Sequence, residues 1–288
     1  MFQQLQPSSA RTPGAVTGGA TASRADAPIG IFDSGFGGLT VARAVFSRLP
    51  GESVVYLADS ARWPYGPRPI AEVRSYALEC LDRLVGMGVK MLVIACNSAS
   101  SAMLRDARER YEAPVIEVIC PAVRQAVATT RNGRVGVICT EATKTSMSYV
   151  DAFAAAPHIQ LTVQACPRFV EFAERGVTEG PELMAAAREY LRTVRAARVD
   201  TLILGCTHYP LLADVISGVM GDEVTLISSA AESAGDIAWQ LGKLGLARGA
   251  TAPPPSRVFR TTGDPREFQR IGSRILGPEM RDVAAAVC

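Results

Sequence analysis

Histidine is nearly missing from this chain: His158 and His208 are the only two among 288 residues. The seven cysteines, at positions 80, 96, 120, 139, 166, 206 and 288, contain no CxxC pair. Together these absences leave no Cys/His zinc pattern, and no metal site is expected. Long hydrophobic runs are also lacking: none approaches the roughly 20 residues of a membrane span, and the strand-like runs stop at polar residues or glycine. Nor does charge of one sign dominate. Charged residues make up 20% of the chain and the formal net charge is +2, which argues against a nucleic-acid partner and against an anionic membrane surface. Residues 1–27 are rich in Ser, Thr, Gly and Ala and lack the apolar core of a signal peptide, so they read as a disordered extension. An odd number of cysteines without framework-like spacing then points to reduced thiols in the cytoplasm.

A hydrophobic content of 48% supports sizeable cores, and the length suits one large or two ordinary domains. Two stretches decide for two. Residues 90–111, KMLVIACNSASSAMLRDARERY, read as a buried strand that stops on Cys96 and turns at once into a helix. Residues 199–212, VDTLILGCTHYPLL, follow the same order around Cys206. A second pair, IGIFDS at 29–34 and VGVICT at 135–140, is offset by nearly the same interval. Duplicated strand-to-helix units imply an α/β fold of two pseudo-symmetric parallel-sheet domains with the active site in the cleft between them. The first domain is expected to be discontinuous, 28–120 with 230–288, and the second to span 121–229.

Along the chain, strand PIGIF ends at Asp33 and Ser34, and GFGG leads into a helix over LTVARAVFSRL. That glycine group lacks the third glycine of a dinucleotide fingerprint, and the next strand, SVVYLADS, places its acid only loosely, so a nucleotide cofactor is not expected. The loop ARWPYGPRP leaves the same sheet edge as Ser34 and Cys96, which sets a ligand role for Tyr65 and Gly66 against the plainer reading of a rigid turn. Residues 70–87 form a helix with Val73, Ala77, Leu81 and Leu84 on one face, and Cys80 falls in that core pattern. Further helices are expected from Pro121 to Thr129, from Thr143 to Ala155, over CPRFVEFAERG, over PELMAAAREYLRTVRAA, and after a serine cap in EVTLISSAAESAGDIAWQLGKL. The tail reads as strand SRVFRTTG and a last helix near DPREFQRIGSRIL.

A cysteine at the carboxyl end of a parallel strand, just before a helix, meets unpaired backbone N–H groups and the positive end of a helix dipole, and both favour a thiolate. One such cysteine is ordinarily an inert buried thiol. Two in equivalent units suggest more. Asn97 and Ser98 after the first, and Thr207 and His208 after the second, stand at presumed helix starts, where they can cap the helix and where backbone amides can hold a carboxylate. Facing thiols across a small carboxylate ligand suit proton transfer at a stereocentre, one removing an α-proton and the other returning one to the opposite face.

GIFDSGFGGLTV, the PYG loop, ACNSAS, CPRFVEFAERG and GCTHYPLL, in this order and covering nearly everything after residue 28, resemble the glutamate racemases of bacterial cell-wall synthesis, within the aspartate/glutamate racemase group. The resemblance implies that Cys96 and Cys206 are the paired catalytic acid and base, each acting on one antipode, without pyridoxal phosphate, metal or nucleotide. It implies substrate contacts from Asp33, Ser34, Tyr65, Gly66, Asn97, Ser98, Thr207 and His208. Asp33 would assist Cys96, while His208 and Glu174 would assist Cys206. Glu171 lies in the same motif as Glu174, and an exposed helical carboxylate is the ordinary state of either. Ser98 stands where many relatives have threonine, and Cys139 where glycine is common in VGVIGT, an extra thiol near the presumed site beside a further candidate contact, Thr140. The implied role is supply of D-glutamate for peptidoglycan, and so cell shape, in the cytoplasm, with glutamate as the small-molecule substrate; a homodimer is expected as the commonest assembly of soluble proteins.

Three rival readings remain open at this level. A racemase of the same group could act on aspartate or a hydantoin. A cysteine hydrolase would use one thiol as nucleophile and depend on that cysteine alone. A DNA gyrase contact through residues 1–27, which some glutamate racemases would suggest, finds no support in the charge balance.

Overall fold

The computed structural model describes residues 24–286. The extension expected at 1–27 therefore lies largely outside the described residues, as does Cys288, and its last part, Arg24–Asp26, forms a 3-10 turn.

The strands are β1 (Ile29–Asp33), β2 (Val54–Ala58), β3 (Met91–Ile94), β4 (Val115–Glu117), β5 (Arg134–Cys139), β6 (Gln160–Ala165), β7 (Thr201–Gly205), β8 (Thr225–Ser228), β9 (Arg257–Thr261) and β10 (Val283–Ala285). They make two sheets, ordered β10-β9-β2-β1-β3-β4 and β6-β5-β7-β8. Every pairing is parallel. Runs such as MLVI and TLILG are apolar on both faces because helices cover both faces of a parallel sheet. The duplication read from the sequence is visible in the strand order: β2-β1-β3-β4 and β6-β5-β7-β8 are the same arrangement used twice. Cys96 follows β3 and Cys206 follows β7, in the same place in each sheet. In both halves the chain reverses its direction of growth at the central pair, β1 with β3 and β5 with β7, where a crevice opens at the carboxyl ends.

The helices are α1 (Leu39–Arg48), α2 (Ile70–Gly86), α3 (Asn97–Arg110), α4 (Ile119–Thr129), α5 (Glu141–Thr145), α6 (Ser148–Phe153), α7 (Arg168–Arg175), α8 (Pro181–Ala196), α9 (Ala213–Met220), α10 (Ser229–Lys243) and α11 (Pro265–Leu276). The stripe Val73, Ala77, Leu81 and Leu84 of α2 is fully buried, Cys80 with it. Helix α10 packs against both α1 and α4, so it is shared between the two sheets. No helix among the described residues is long and apolar enough to cross a membrane.

Several expected boundaries move, each for a local reason. Helix α4 starts at Ile119 rather than Pro121, because the Glu117 carboxylate accepts the N–H groups of Ile119 and Cys120 and closes the first turn early. The helix expected from Thr143 to Ala155 is two helices, α5 and α6, separated at Met147, whose φ of 59° is left-handed. Past Cys206 the chain does not enter an α-helix directly: Tyr209–Leu212 is a 3-10 turn containing Pro210, and α9 begins only after it. Ser228 occupies the cap position of α10 without a side-chain cap bond. A tenth strand, β10, extends the first sheet beyond β9, which the tail's weak pattern did not announce.

A buried ion pair holds the amino-edge of the first sheet. Lys90 (0% exposed side chain) meets Glu52 (4%), and Lys90 Nζ also donates to the Ala25 carbonyl at 2.6 Å. The other Glu52 oxygen accepts the Arg248 N–H at 2.8 Å. Replacing Lys90 by methionine strands a buried carboxylate, and denaturant unfolding should show a loss of about 3–5 kcal/mol. Adding Glu52→Leu should restore much of it, because no unpaired charge then remains.

Candidate active site

The first wall of the cleft is built at the ends of β1 and β3. Cys96 sits at the cap position of α3 with extended backbone (φ −73°, ψ 121°) and is 5% exposed. Its Sγ lies 3.5 Å from Ser34 Oγ. Asp33 is completely buried. One carboxylate oxygen accepts the Gly35 N–H at 2.9 Å, and the other faces the Thr207 hydroxyl at 3.5 Å, from the opposite half. The glycines of GFGG serve this closure. A Cβ on Gly37 would stand 2.4 Å from Thr207 Oγ1 and 2.6 Å from His208 Nδ1, and one on Gly38 would stand 2.4 Å from Asp33 Cβ. Only glycine lets the two halves approach so closely.

Burial governs the charge on this wall. Desolvation raises Asp33 above its ordinary value, although His208 and the Gly35 and Gly38 N–H groups oppose it. Desolvation, then the Asp33 charge, push Cys96 up to about 12. Burial thus favours the thiol form of Cys96, suited to giving a proton and needing help to lose one.

The second wall is chemically different. His208 bridges two groups, with Nδ1 3.7 Å from Cys206 Sγ and Nε2 2.9 Å from Glu174 Oε1. Burial alone would lower His208, but its bonds to Cys206 and Glu174 outweigh that and raise it from 6.5 to about 10. The charged form of the ring is favoured here, with Nδ1 directed at Cys206 Sγ. Burial raises Glu174 as well, against the pull of His208. The two acids of α7 point differently: Glu174 bonds His208, whereas Glu171 lies on the cavity wall.

Both cysteines open on one cavity of about 160 Å³. Ser34, Tyr65, Gly66, Asn97, Ser98, Thr207 and His208 also line it. Asp33 and Glu174 do not, and stand one residue behind it. Ser98 and Thr140 hydroxyls meet at 2.9 Å across the cleft, and Thr140, raised as a contact by the sequence, lines the cavity while capping α5. Cys139 does not line it: its thiol is buried in an apolar cluster with Val137, Tyr149 and Ile203, and its carbonyl accepts the Tyr209 hydroxyl at 2.9 Å. Among the described residues no three His, Cys, Asp or Glu side chains stand together as a metal site requires.

Sequence reasoning passed over Asp59. This fully buried carboxylate accepts Arg62 Nε at 2.7 Å, the Tyr65 hydroxyl, and the Thr262 hydroxyl at 2.8 Å, so it anchors the whole PYG loop. Arg62 and Tyr65 following at three and six residues were the available signal; Thr262 gave none. The loop tip then reaches the other half, where the Gly66 carbonyl accepts the Ala142 N–H at 2.9 Å.

Residues 39–235 match the family model described as Asp/Glu/Hydantoin racemase. The chain belongs to that family. The glutamate racemase of Acidothermus cellulolyticus is 62% identical over 256 residues, 89% of this chain and 97% of that one. Among solved structures, a glutamate racemase isoform of Bacillus anthracis aligns with a TM-score of 0.85 at 37% identity, covering 91% of this chain and 97% of that chain. The Francisella tularensis glutamate racemase in complex with D-glutamate gives 0.85 at 32%, covering 91% and 98%. The resemblance drawn from five motifs and the expectation of two parallel-sheet α/β domains are both borne out, and the chain is an isomerase of the racemase class.

The raised His208 of this racemase carries a pH signature. A group whose folded value lies above its ordinary one stabilises the fold fully below the ordinary value and loses that contribution as pH rises through the folded value. The window for His208 is pH 6.5 to about 10. Thermal unfolding of wild type and Glu174→Gln should therefore show a gap that is widest near pH 6.5 and narrows toward pH 10.

Proposed function

We propose that this racemase interconverts L-glutamate and D-glutamate by passing the α-proton between Cys96 and Cys206. The observation that carries the reading is the placement of the two thiols at equivalent strand ends of two sheets with the same strand order, opening on one cavity from opposite halves. In each direction one sulfur, as thiolate, takes the α-hydrogen while the electron pair stays on carbon. The other, as thiol, gives its proton to the opposite face of the same carbon. Configuration inverts, and the two sulfurs exchange protonation states. Cys96 acts on one antipode and Cys206 on the other, Asp33 assists the first, and His208 with Glu174 assists the second.

The α-hydrogen of an amino acid is feebly acidic, so the developing carbanion needs fixed donors and exclusion of water. The residues around the cavity are largely buried, which limits the access of solvent. Ser34, Tyr65, Gly66, Asn97, Ser98, Thr207 and His208 provide the contacts that orient the substrate, and Asp33, expected as a contact from the sequence, acts from behind them. Glutamate is preferred to aspartate or a hydantoin on the motif GCTHYPLL and on the relatives, which are named glutamate racemases. With this reading goes supply of D-glutamate for peptidoglycan in the cytoplasm, by a homodimer.

Circular dichroism of each pure glutamate antipode, without added cofactor, tests the proposal. Wild type should erase the signal from both sides and, in D₂O, place deuterium at the α-carbon. Cys96→Ala and Cys206→Ala should each slow racemisation by about a thousandfold or more. Turnover that survives loss of either cysteine would end the two-thiol mechanism. Turnover of aspartate or a hydantoin in place of glutamate would keep the mechanism and change the substrate.

A further inference from the structure

Asn97 has one polar atom satisfied and one not. It is 2% exposed and lines the cavity. Its Oδ1 accepts the Tyr149 hydroxyl at 2.9 Å. Its Nδ2, equally buried, has no partner. An amide has two orientations that differ only in which end carries the donors, and a buried polar atom without a partner costs free energy unless something enters to satisfy it. Tyr149 takes the oxygen end, so the nitrogen end is what remains for a ligand.

Tyr149 belongs to α6, in the half opposite to Asn97, and is itself 2% exposed. It reaches across because β7 ends in glycine: a Cβ on Gly205 would stand 3.1 Å from the ring and from the hydroxyl oxygen of Tyr149. The residue that crosses the cleft is held by the same strand that presents Cys206.

We propose that Tyr149 is a positioning residue that locks the Asn97 amide with its Nδ2 donors toward the cavity, where they bind a carboxylate of the substrate. Without the tyrosine hydroxyl the amide can turn over and set its carbonyl oxygen against that carboxylate. The proposal rests on the glutamate reading above and adds to it a residue that does not line the cavity. It also separates affinity from chemistry, because neither Asn97 nor Tyr149 exchanges a proton with the α-carbon.

The test is a double-mutant cycle on Tyr149→Phe and Asn97→Ala, read by steady-state racemisation of both glutamate antipodes and by calorimetric titration with D-glutamate. Tyr149→Phe is expected to raise KM and Kd about tenfold for both antipodes, the scale of one hydrogen bond to a charged group, with kcat nearly unchanged. In the Asn97→Ala background the same change should have no further effect, since the tyrosine then has no amide to orient. Folded Tyr149→Phe with unchanged KM, or effects that simply multiply in the double variant, would overturn the proposal. Asn97→Asp provides a second arm should Tyr149→Phe fail to fold. Its carboxylate still accepts from Tyr149 and puts an oxygen where Nδ2 stood, so KM should rise beyond that of Asn97→Ala. An equal or smaller KM would refute the assignment. Wild type that binds D-glutamate without racemising it would fault the proton-transfer reading alone, and the cycle is then read on Kd. Wild type that neither binds nor turns over glutamate would end both.

Discussion

Asp33 is the constraint around which the cleft is arranged. It is a carboxylate with no solvent contact at the point where the two halves meet, and a buried charge of that kind is tolerable only when its surroundings supply donors. Gly35 offers an N–H from one side and Thr207 a hydroxyl from the other, with His208 as the nearest opposing charge. The requirement explains the glycine-rich turn after β1, since side chains at 37 or 38 would push Thr207, His208 or Asp33 away. It also ties the halves together: Gly35 and Gly38 bond the carboxylate from its own half, and Thr207 approaches it from the other. Burial keeps Asp33 raised, and the charge it does carry adds to the desolvation that holds Cys96 as a thiol.

The two halves share a strand order but have diverged in the chemistry at their matching positions. At the end of β1 stands Asp33; at the end of β5, its counterpart by register in the duplicated sheet, stands Cys139, whose side chain has turned into the apolar core. Cys96 has a hydroxyl and a hidden carboxylate near it, whereas Cys206 has an imidazole backed by a second carboxylate. An approximately symmetric fold therefore opens two thiols with unlike neighbours on one cavity. On the proposed two-thiol reading, a racemase handles mirror-image substrates with an environment that is itself chiral, so unlike neighbours on the two sides are no obstacle to use of both.

Much of this was legible in the chain. Cys96 and Cys206 announce themselves because a buried parallel strand is a continuous β-branched and leucine run, and an abrupt stop on a cysteine followed by short polar residues breaks it. The glycines after β1 were legible as a turn but not as a contact surface, since what they touch lies some 170 positions later by the residues involved. The start of α4 is not legible, because proline marks a first turn so strongly that it hides the capping role of Glu117. The α-helix expected directly after Cys206 gives way to a 3-10 turn, with Pro210 inside it.

By itself the sequence determined the parallel α/β class, the duplication, the two thiols and the residues immediately beside them, because periodicity and strand-end position are local and repeat. Tertiary structure alone decided which of Glu171 and Glu174 bonds His208, that Asp59 and Thr262 fasten the PYG loop, that Cys139 turns away from the cavity, and that Tyr149 bonds Asn97. Those choices depend on which way a side chain points across a cleft between distant segments. Neither spacing nor composition encodes that direction; it follows from how the two sheets are pressed together around a carboxylate that cannot reach water.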